Sequence, residues 1–75
     1  MDKIEALKVL NPDATKLQLR KALQALHSMS DQNLGDILGK SRQNMCFVMN
    51  GRNTSRLMQD EVAEIFGVPR KAIFD

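Results

Sequence analysis

The sequence predicts a small all-α domain. Its 75 residues are enough for one domain and too few for two. The composition includes three Phe and no Trp or Tyr, whereas Leu, Ala, Gln and Lys are plentiful, and this balance favours helices over strands. Apolar residues recur at helical spacing between residues able to cap helices, with no strand pattern and no internal repeat. We therefore expect about five or six helices.

The first predicted helix spans residues 2 to 10. A residue able to cap a helix precedes apolar residues at three-residue steps: Asp2, then Ile4, Leu7 and Leu10. Asn11-Pro12-Asp13 ends this helix, because the residue before a proline is pushed out of the α region. We assign residues 1 to 12 to an N-terminal helical extension and residues 13 to 75 to the main helical domain. The sequence leaves open whether the extension completes the core or forms a dimer surface.

The second predicted helix opens at Pro12 or Asp13 and runs to about His27, which is expected to cap its carboxyl end. Its buried side is predicted to comprise Leu19, Ala22, Leu23 and Leu26. Its water-facing side is predicted to comprise Lys16, Arg20, Lys21 and Gln24. We expect this helix to pack in the core.

A third, short helix is predicted after Ser30, a good capping residue. Its buried side is expected to consist of Leu34, Ile37 and Leu38. Gly35 within it costs about 1 kcal/mol relative to alanine, which suggests that another backbone packs close against it. Gly39 then ends the helix in a left-handed conformation, and Ser41 caps the next one.

The carboxyl-terminal third of the chain is predicted to form one long helix and a final turn. Thr54 or Ser55 caps the helix, which ends at Phe66 and is closed by Gly67. Its buried positions are Met58, Val62, Ile65 and Phe66, and its outer positions are Asp60, Glu61 and Glu64. The last turn, from Pro69 to Phe74, is expected to return Ile73 and Phe74 to the core.

The stretch GKSRQNMCFVMNG, residues 39 to 51, is predicted to contain a helix with two different faces. At about 100° per residue, Met45 and Val48 lie on the buried side, with Met49 near its margin. The outward side is of mixed polarity and comprises Arg42, Gln43, Cys46, Phe47 and Asn50. Because a purely structural helix seldom exposes a phenylalanine, we expect the outward side to contact a partner.

Positive charge is concentrated around this helix. Residues 37 to 59 include no acidic residue and four basic ones: Lys40, Arg42, Arg52 and Arg56. The formal charge of the whole chain is +2, so the remaining residues carry a net −2. A positive segment on a nearly neutral chain is typical of a surface that binds a polyanion, and scattered surface charge is the alternative interpretation.

Several classes of protein do not fit the sequence. The single cysteine, Cys46, cannot form an internal disulfide, and no Cys/His cluster has metal-ligand spacing, so a cytoplasmic protein without metal or cofactor is expected. No apolar run approaches the ~20 residues of a membrane span, and the opening MDKIEALK is too charged for a signal peptide. We expect no enzyme, because the serines stand at predicted caps and turns without a general base.

The segment SDQNLGDILGKSRQNMCFVMNGRN resembles the helix-turn-helix core of the phage repressor and Cro-type (XRE-like) family. The matching residues are Leu34, Gly35, Gly39, Ser41, Met45, Val48, Asn50 and Gly51. The stretch EVAEIFGVPRKAIF resembles the family's closing segment, so the resemblance covers about residues 15 to 74. It implies a lambda-repressor-like fold and a transcriptional regulator of a phage or bacterial mobile element.

The resemblance also implies roles for individual residues. The helix from Arg42 would lie in the DNA major groove and read bases with Arg42, Gln43 and Phe47, with Asn44 as a weaker candidate. Phosphates would be held by Lys40, Ser41, Asn50, Arg52, Asn53 and Arg56. The expected partners are a double-stranded DNA operator and a second copy in a homodimer, with no membrane and no small-molecule ligand. Since the chain ends with the last family helix, we expect a stand-alone Cro-like regulator.

Three residues depart from the family pattern. Asp31 stands where the family commonly has a phosphate-contacting Gln, and we hypothesise that it orients Arg42 through an ion pair. Met49 stands where an acidic residue is common, which removes a usual buried ion pair to the first helix and leaves an apolar contact. Lys40 replaces a frequent small or apolar turn residue.

Alternatives to DNA binding are also open. The same fold can serve as a protein-interaction module, such as an antitoxin or antirepressor-like partner, with the N-terminal helix and Phe47 as its contact surface. Cys46 could be a redox switch, although a lone cysteine is more often a small, semi-apolar residue. The methionines Met29, Met45, Met49 and Met58 are predicted to be adaptable core residues.

Overall fold

A computed structural model of the chain describes residues 2 to 75. Within these residues it contains six helices and no strand. The helices are α1 (Lys3–Leu10), α2 (Lys16–Leu26), α3 (Asp31–Leu38), α4 (Arg42–Met49), α5 (Arg56–Phe66) and α6 (Arg70–Ile73). The all-α prediction is confirmed. No helix in this part of the chain combines the length and the apolar character needed to cross a membrane.

Side-chain caps open the first five helices. In each, the cap accepts a hydrogen bond from the backbone N–H three residues later, and the caps are Asp2, Thr15, Ser30, Ser41 and Ser55. The prediction that α2 opens at Pro12 or Asp13 is wrong. The Thr15 hydroxyl accepts from the Gln18 N–H at 3.1 Å, and the Gln18 side chain accepts from the Thr15 N–H at 2.8 Å. These two reciprocal bonds outweigh the single one that Asp13 could make.

One apolar core joins all six helices. Its buried residues are Ile4, Leu19, Leu23, Leu34, Met45, Val48, Met49, Met58, Val62, Ala63, Phe66, Ile73 and Phe74. Leu7, Met29, Leu38 and Ile65 pack against this core and are partly buried. The core role predicted for the methionines is therefore confirmed. Met49 is fully buried rather than marginal, because its flexible side chain can reach the core from the edge of α4.

Three leucine or isoleucine residues predicted to be buried are exposed. The exposed fractions are 84% for Leu10, 61% for Leu26 and 56% for Ile37. Each of these residues is the last or the penultimate residue of its helix. Helical periodicity gives the correct side of such a helix but does not tell how far along it the neighbouring helices extend.

Arg20 is the opposite case, because it was predicted to face water and is only 6% exposed. Its Nε donates a hydrogen bond to the carbonyl of Met49 at 2.8 Å, and its Nη1 donates to the carbonyl of Ile73. The guanidinium carbon also lies 4.8 Å from the centre of the Phe74 ring. Arg20 therefore connects α2 to the end of α4 and to the end of α6.

Candidate nucleic-acid interface

A close contact between backbones fixes the angle between α3 and α4. A Cβ atom on Gly35 would lie 2.5 Å from the carbonyl oxygen of Lys40, a distance that no real side chain tolerates. The Lys40 N–H donates to the Gly35 carbonyl at 2.8 Å, and Gly39 between them has φ +68°. The close approach predicted at Gly35 and the left-handed end predicted at Gly39 are both confirmed.

The next helix, α4, begins immediately after this turn and buries one face. The Ser41 hydroxyl accepts from the Asn44 N–H at 3.1 Å and so caps its amino end. Met45, Val48 and Met49 are all fully buried. Since α4 is held by its cap, its turn and its inner face, the residues on its outer face have fixed positions relative to one another.

The outer face of α4 is open to solvent at its amino end. Arg42 and Gln43 are exposed, Phe47 is 38% exposed, and Cys46 is half-buried. Within residues 2 to 75, the side chains of Arg42 and Gln43 make neither a hydrogen bond nor an ion pair. Shallow depressions flank them, lined by Ser41, Gln43, Asn44 and Phe47 on one side and by Arg42 and Cys46 on the other. The first turn of α4 thus carries free donors, and a partly exposed aromatic ring, Phe47, follows one turn later.

Two of the three asparagines predicted to contact DNA, Asn44 and Asn53, are hydrogen-bonded to each other. The Asn44 Oδ1 accepts from Asn53 Nδ2 at 3.2 Å, and the Oδ1 of Asn53 accepts from the Ser55 N–H at 3.0 Å. Both asparagines are half-buried. This chain of bonds holds the loop after α4 against the helix, so the geometry gives Asn44 and Asn53 a part in shaping the surface.

The other residues predicted to hold phosphates differ in whether their side chains already make hydrogen bonds within the protein. The Ser41 hydroxyl is engaged as a cap, and the Asn50 amide donates to the carbonyl of Cys46 at 2.9 Å and to its Sγ at 3.3 Å. Lys40, Arg52 and Arg56 are exposed. The cations therefore remain available to an anion, while the hydroxyl and the amide shape the two ends of α4.

Comparisons with known proteins add no assignment. No protein-family model, curated protein sequence or solved structure matches this chain.

None of the basic residues of this surface forms an ion pair within residues 2 to 75. The ion pairs within residues 2 to 75 are Lys16–Asp75 and Arg70–Asp60, each at 3.4 Å, and neither involves α4. The prediction that Asp31 orients Arg42 through an ion pair is wrong. Asp31 Oδ1 instead accepts a hydrogen bond from Gln24 Nε2 at 2.8 Å, because the first turn of α3 packs next to α2.

Arg20 is the residue near this surface that the sequence interpretation missed. Burial lowers the pKa of its guanidinium, and the nearby Asp75 partly offsets this by raising it. Its Nε donates to the carbonyl of Met49 at 2.8 Å, so Arg20 lies at the carboxyl end of α4. The burial of Arg20 could have been predicted from its position three residues before the buried Leu23, because residues three apart share a helix face.

Proposed function

We propose that this protein is a sequence-specific, double-stranded DNA-binding transcriptional regulator of the Cro or repressor type. In this proposal α4 enters the major groove of an operator with its amino end towards the bases. The resemblance to the phage repressor and Cro-type family favours a phage or bacterial mobile element as the source.

The observation that carries the proposal is the exposed first turn of α4, whose leading side chains have no partner within residues 2 to 75. Arg42 and Gln43 are exposed and make no hydrogen bond elsewhere in residues 2 to 75, while the opposite face of the same helix is fully buried. A helix fixed on one side and unpartnered on the other can insert into a groove without rearrangement. The short turn after α3, closed by Gly39, gives the helix-turn-helix arrangement that presents such a helix to DNA.

The side chains on this edge suit the major groove. An arginine can donate two hydrogen bonds to guanine, a glutamine can pair with the donor and acceptor of adenine, and an apolar ring can contact the methyl group of thymine. Each good two-bond contact is worth about 1 to 3 kcal/mol of discrimination. Arg42, Gln43 and Phe47 are therefore the base-reading residues we propose, in that order along the helix.

Phosphate contacts would come from the exposed cations Lys40, Arg52 and Arg56, which flank α4 on both sides in the chain. Such contacts release counterions, so affinity should fall steeply as salt is raised. A homodimer would place two copies of α4 in successive major grooves of a two-fold operator, about one helical turn apart.

The test is selection of bound fragments from random duplex DNA, followed by titration of the enriched site. We expect an enriched motif, and we expect Arg42→Ala and Gln43→Ala each to lower affinity for it by about tenfold or more while unfolding at the wild-type temperature. Lys8→Ala, which removes an exposed cation from α1, is the matched control and should bind as the wild type does. Absence of any enriched motif at low salt would refute the proposal.

A protein-interaction module is the second candidate, because Phe47 on the outer face of α4 is 38% exposed. The same variants distinguish the two functions. A surface that binds a protein through Phe47 would lose its partner in Phe47→Ala and would tolerate Arg42→Ala, whereas a DNA reader is weakened by both.

A further inference from the structure

A cavity of about 360 Å³ lies at the carboxyl end of α4. It is enclosed by the loop that follows α4, the first turns of α5 and the residues after α6. None of the proposed base-reading residues lines it. Its wall comprises Arg20, Gly51, Thr54, Arg56, Gln59 and Phe74.

Arg20 presents one free donor group to this cavity. Its Nε and Nη1 bind the carbonyls of Met49 and Ile73, and its guanidinium lies over the ring of Phe74. Within residues 2 to 75, Nη2 has no hydrogen-bond acceptor, and a Cβ atom on Gly51 would lie 3.8 Å from it. Since no fully buried side-chain nitrogen or oxygen in these residues lacks a partner, Nη2 keeps a contact with solvent. The cavity supplies that opening, because both Arg20 and Gly51 line it.

Gln59 presents a second free donor group. Its side chain is almost fully buried, and its Oε1 accepts a hydrogen bond from Arg70 Nη1 at 3.3 Å. An arginine nitrogen can only donate, so the amide oxygen must face Arg70 and the amide nitrogen must point away from it. Within the described residues Nε2 makes no hydrogen bond, and it too keeps a contact with solvent. Two side chains that are more than nine-tenths buried, Arg20 and Gln59, therefore present unpartnered donors to one cavity.

The rest of the wall also favours negative charge. Thr54 and Arg56 are exposed, and neither side chain makes a hydrogen bond or an ion pair within residues 2 to 75. Arg56 is the first residue of the 11-residue helix α5, whose amino end carries a partial positive charge. Burial lowers the pKa of the Arg20 guanidinium, because the charged form has lost part of its hydration. A bound anion would offset that loss.

We propose that this cavity binds a phosphate group. A phosphate carried by a larger molecule has three strong acceptor oxygens, one for each of three donors: Arg20 Nη2, Gln59 Nε2 and the Thr54 hydroxyl. Arg56 supplies a second positive charge. The group belongs either to a free phosphorylated compound or to the DNA backbone, and in the second case this proposal rests on the proposed function.

Asp75 is the acidic residue that lines the same cavity. Its carboxylate is fully exposed and pairs with Lys16 Nζ at 3.4 Å. Its charge partly offsets the lowering of the Arg20 pKa, but within residues 2 to 75 it makes no hydrogen bond to the guanidinium. The carboxylate therefore opposes an arriving phosphate without occupying the donors, and its removal should strengthen binding.

Titration of the full chain with inorganic phosphate, followed by nuclear magnetic resonance at constant pH, tests the cavity directly. We expect the side-chain amide of Gln59 and the backbone amide of Gly51 to shift and to saturate, with half-saturation below about 10 mM. The backbone amide of Ala6, on α1, should not shift. Potassium chloride at equal ionic strength is the control for screening. Equal shifts in the two salts, or shifts that never saturate, would overturn the proposal.

Substitutions assign the binding to the cavity. Thr54→Val keeps the shape of an exposed side chain but removes its hydroxyl, and it should weaken phosphate binding by about tenfold. Arg56→Gln should weaken it, and Asp75→Asn should strengthen it, each by about threefold, because both charges are screened by solvent. Lys71→Gln removes an exposed cation of α6 that does not line the cavity, and it is the matched control. Equal phosphate affinity in Thr54→Val and Lys71→Gln would mean that general surface charge holds the anion, and the proposal would be wrong.

Duplex DNA then distinguishes the two sources of the phosphate. If the DNA backbone fills the cavity, inorganic phosphate should weaken DNA binding more than chloride does at equal ionic strength, and Thr54→Val should lower DNA affinity by about tenfold. If a free phosphorylated compound is the ligand, Thr54→Val should bind DNA as the wild type does. The phosphate titration uses no DNA, so the cavity can fail this test while DNA binding stands, and the reverse also holds.

Discussion

The two helices α4 and α1 have the same length but are held in very different ways. Each has eight residues and a side-chain cap. On α4, three side chains are fully buried. The turn that precedes α4 lies in direct contact with the backbone of α3 at Gly35. On α1, one side chain is buried, and the Lys3 ammonium group donates a hydrogen bond to the carbonyl of Phe66. The comparison teaches that two helices of equal length and with equivalent caps can differ widely in how much of their surface is packed against the rest of the molecule.

Removal of a buried leucine beside α4 should give the largest difference between the two regions. Leu34 on α3 is fully buried, whereas Leu10 on α1 is 84% exposed. We expect Leu34→Ala to lower the free energy of unfolding by about 2 to 5 kcal/mol, because it removes apolar contacts and leaves a cavity. Leu10→Ala should change it by less than about 0.5 kcal/mol. Urea unfolding measures both, and similar losses would contradict the described difference in packing.

Local sequence signals predict the middle of the chain, from Ser30 to Ser55, well. The caps Ser30, Ser41 and Ser55 and the left-handed Gly39 follow from local chemistry, since each bonds to its own backbone within a few residues. The close approach at Gly35 could also be predicted, because a glycine inside a helix is unfavourable without such a reason.

Long-range polar contacts could not be predicted in the same way. Arg20 binds carbonyls 29 and 53 residues away in sequence, and Lys3 binds one 63 residues away. No local pattern specifies such partners. For the candidate site, the sequence identified which residues of α4 face outward, but it did not reveal that Asn44 and Asn53 bind each other or that Asp31 binds Gln24.

Replacement of Arg20 should give an intermediate effect. Arg20→Met keeps most of the apolar stem but leaves the carbonyls of Met49 and Ile73 without their donor. We expect a loss of about 1 to 3 kcal/mol in the free energy of unfolding, the usual cost of an unsatisfied buried polar group. Lys21→Met, at the exposed neighbouring position, is the matched control and should have little effect. A neutral result for Arg20→Met would show that the two carbonyls find other donors.

The smallest effect, and the one that separates the two helices most directly, concerns their caps. Ser41→Ala removes the cap of α4, and Asp2→Ala removes the equivalent bond at the start of α1. Loss of a cap typically costs about 1 kcal/mol of helix stability. Because α4 unfolds only with the whole domain, Ser41→Ala should lower the global free energy of unfolding by about that amount. If α1 can be released separately, Asp2→Ala should leave the urea midpoint almost unchanged and reduce hydrogen-exchange protection in α1 alone. Equal shifts of the urea midpoint in both variants would mean that α1 and α4 unfold together, and the contrast between a fully packed helix and a lightly packed one would be lost.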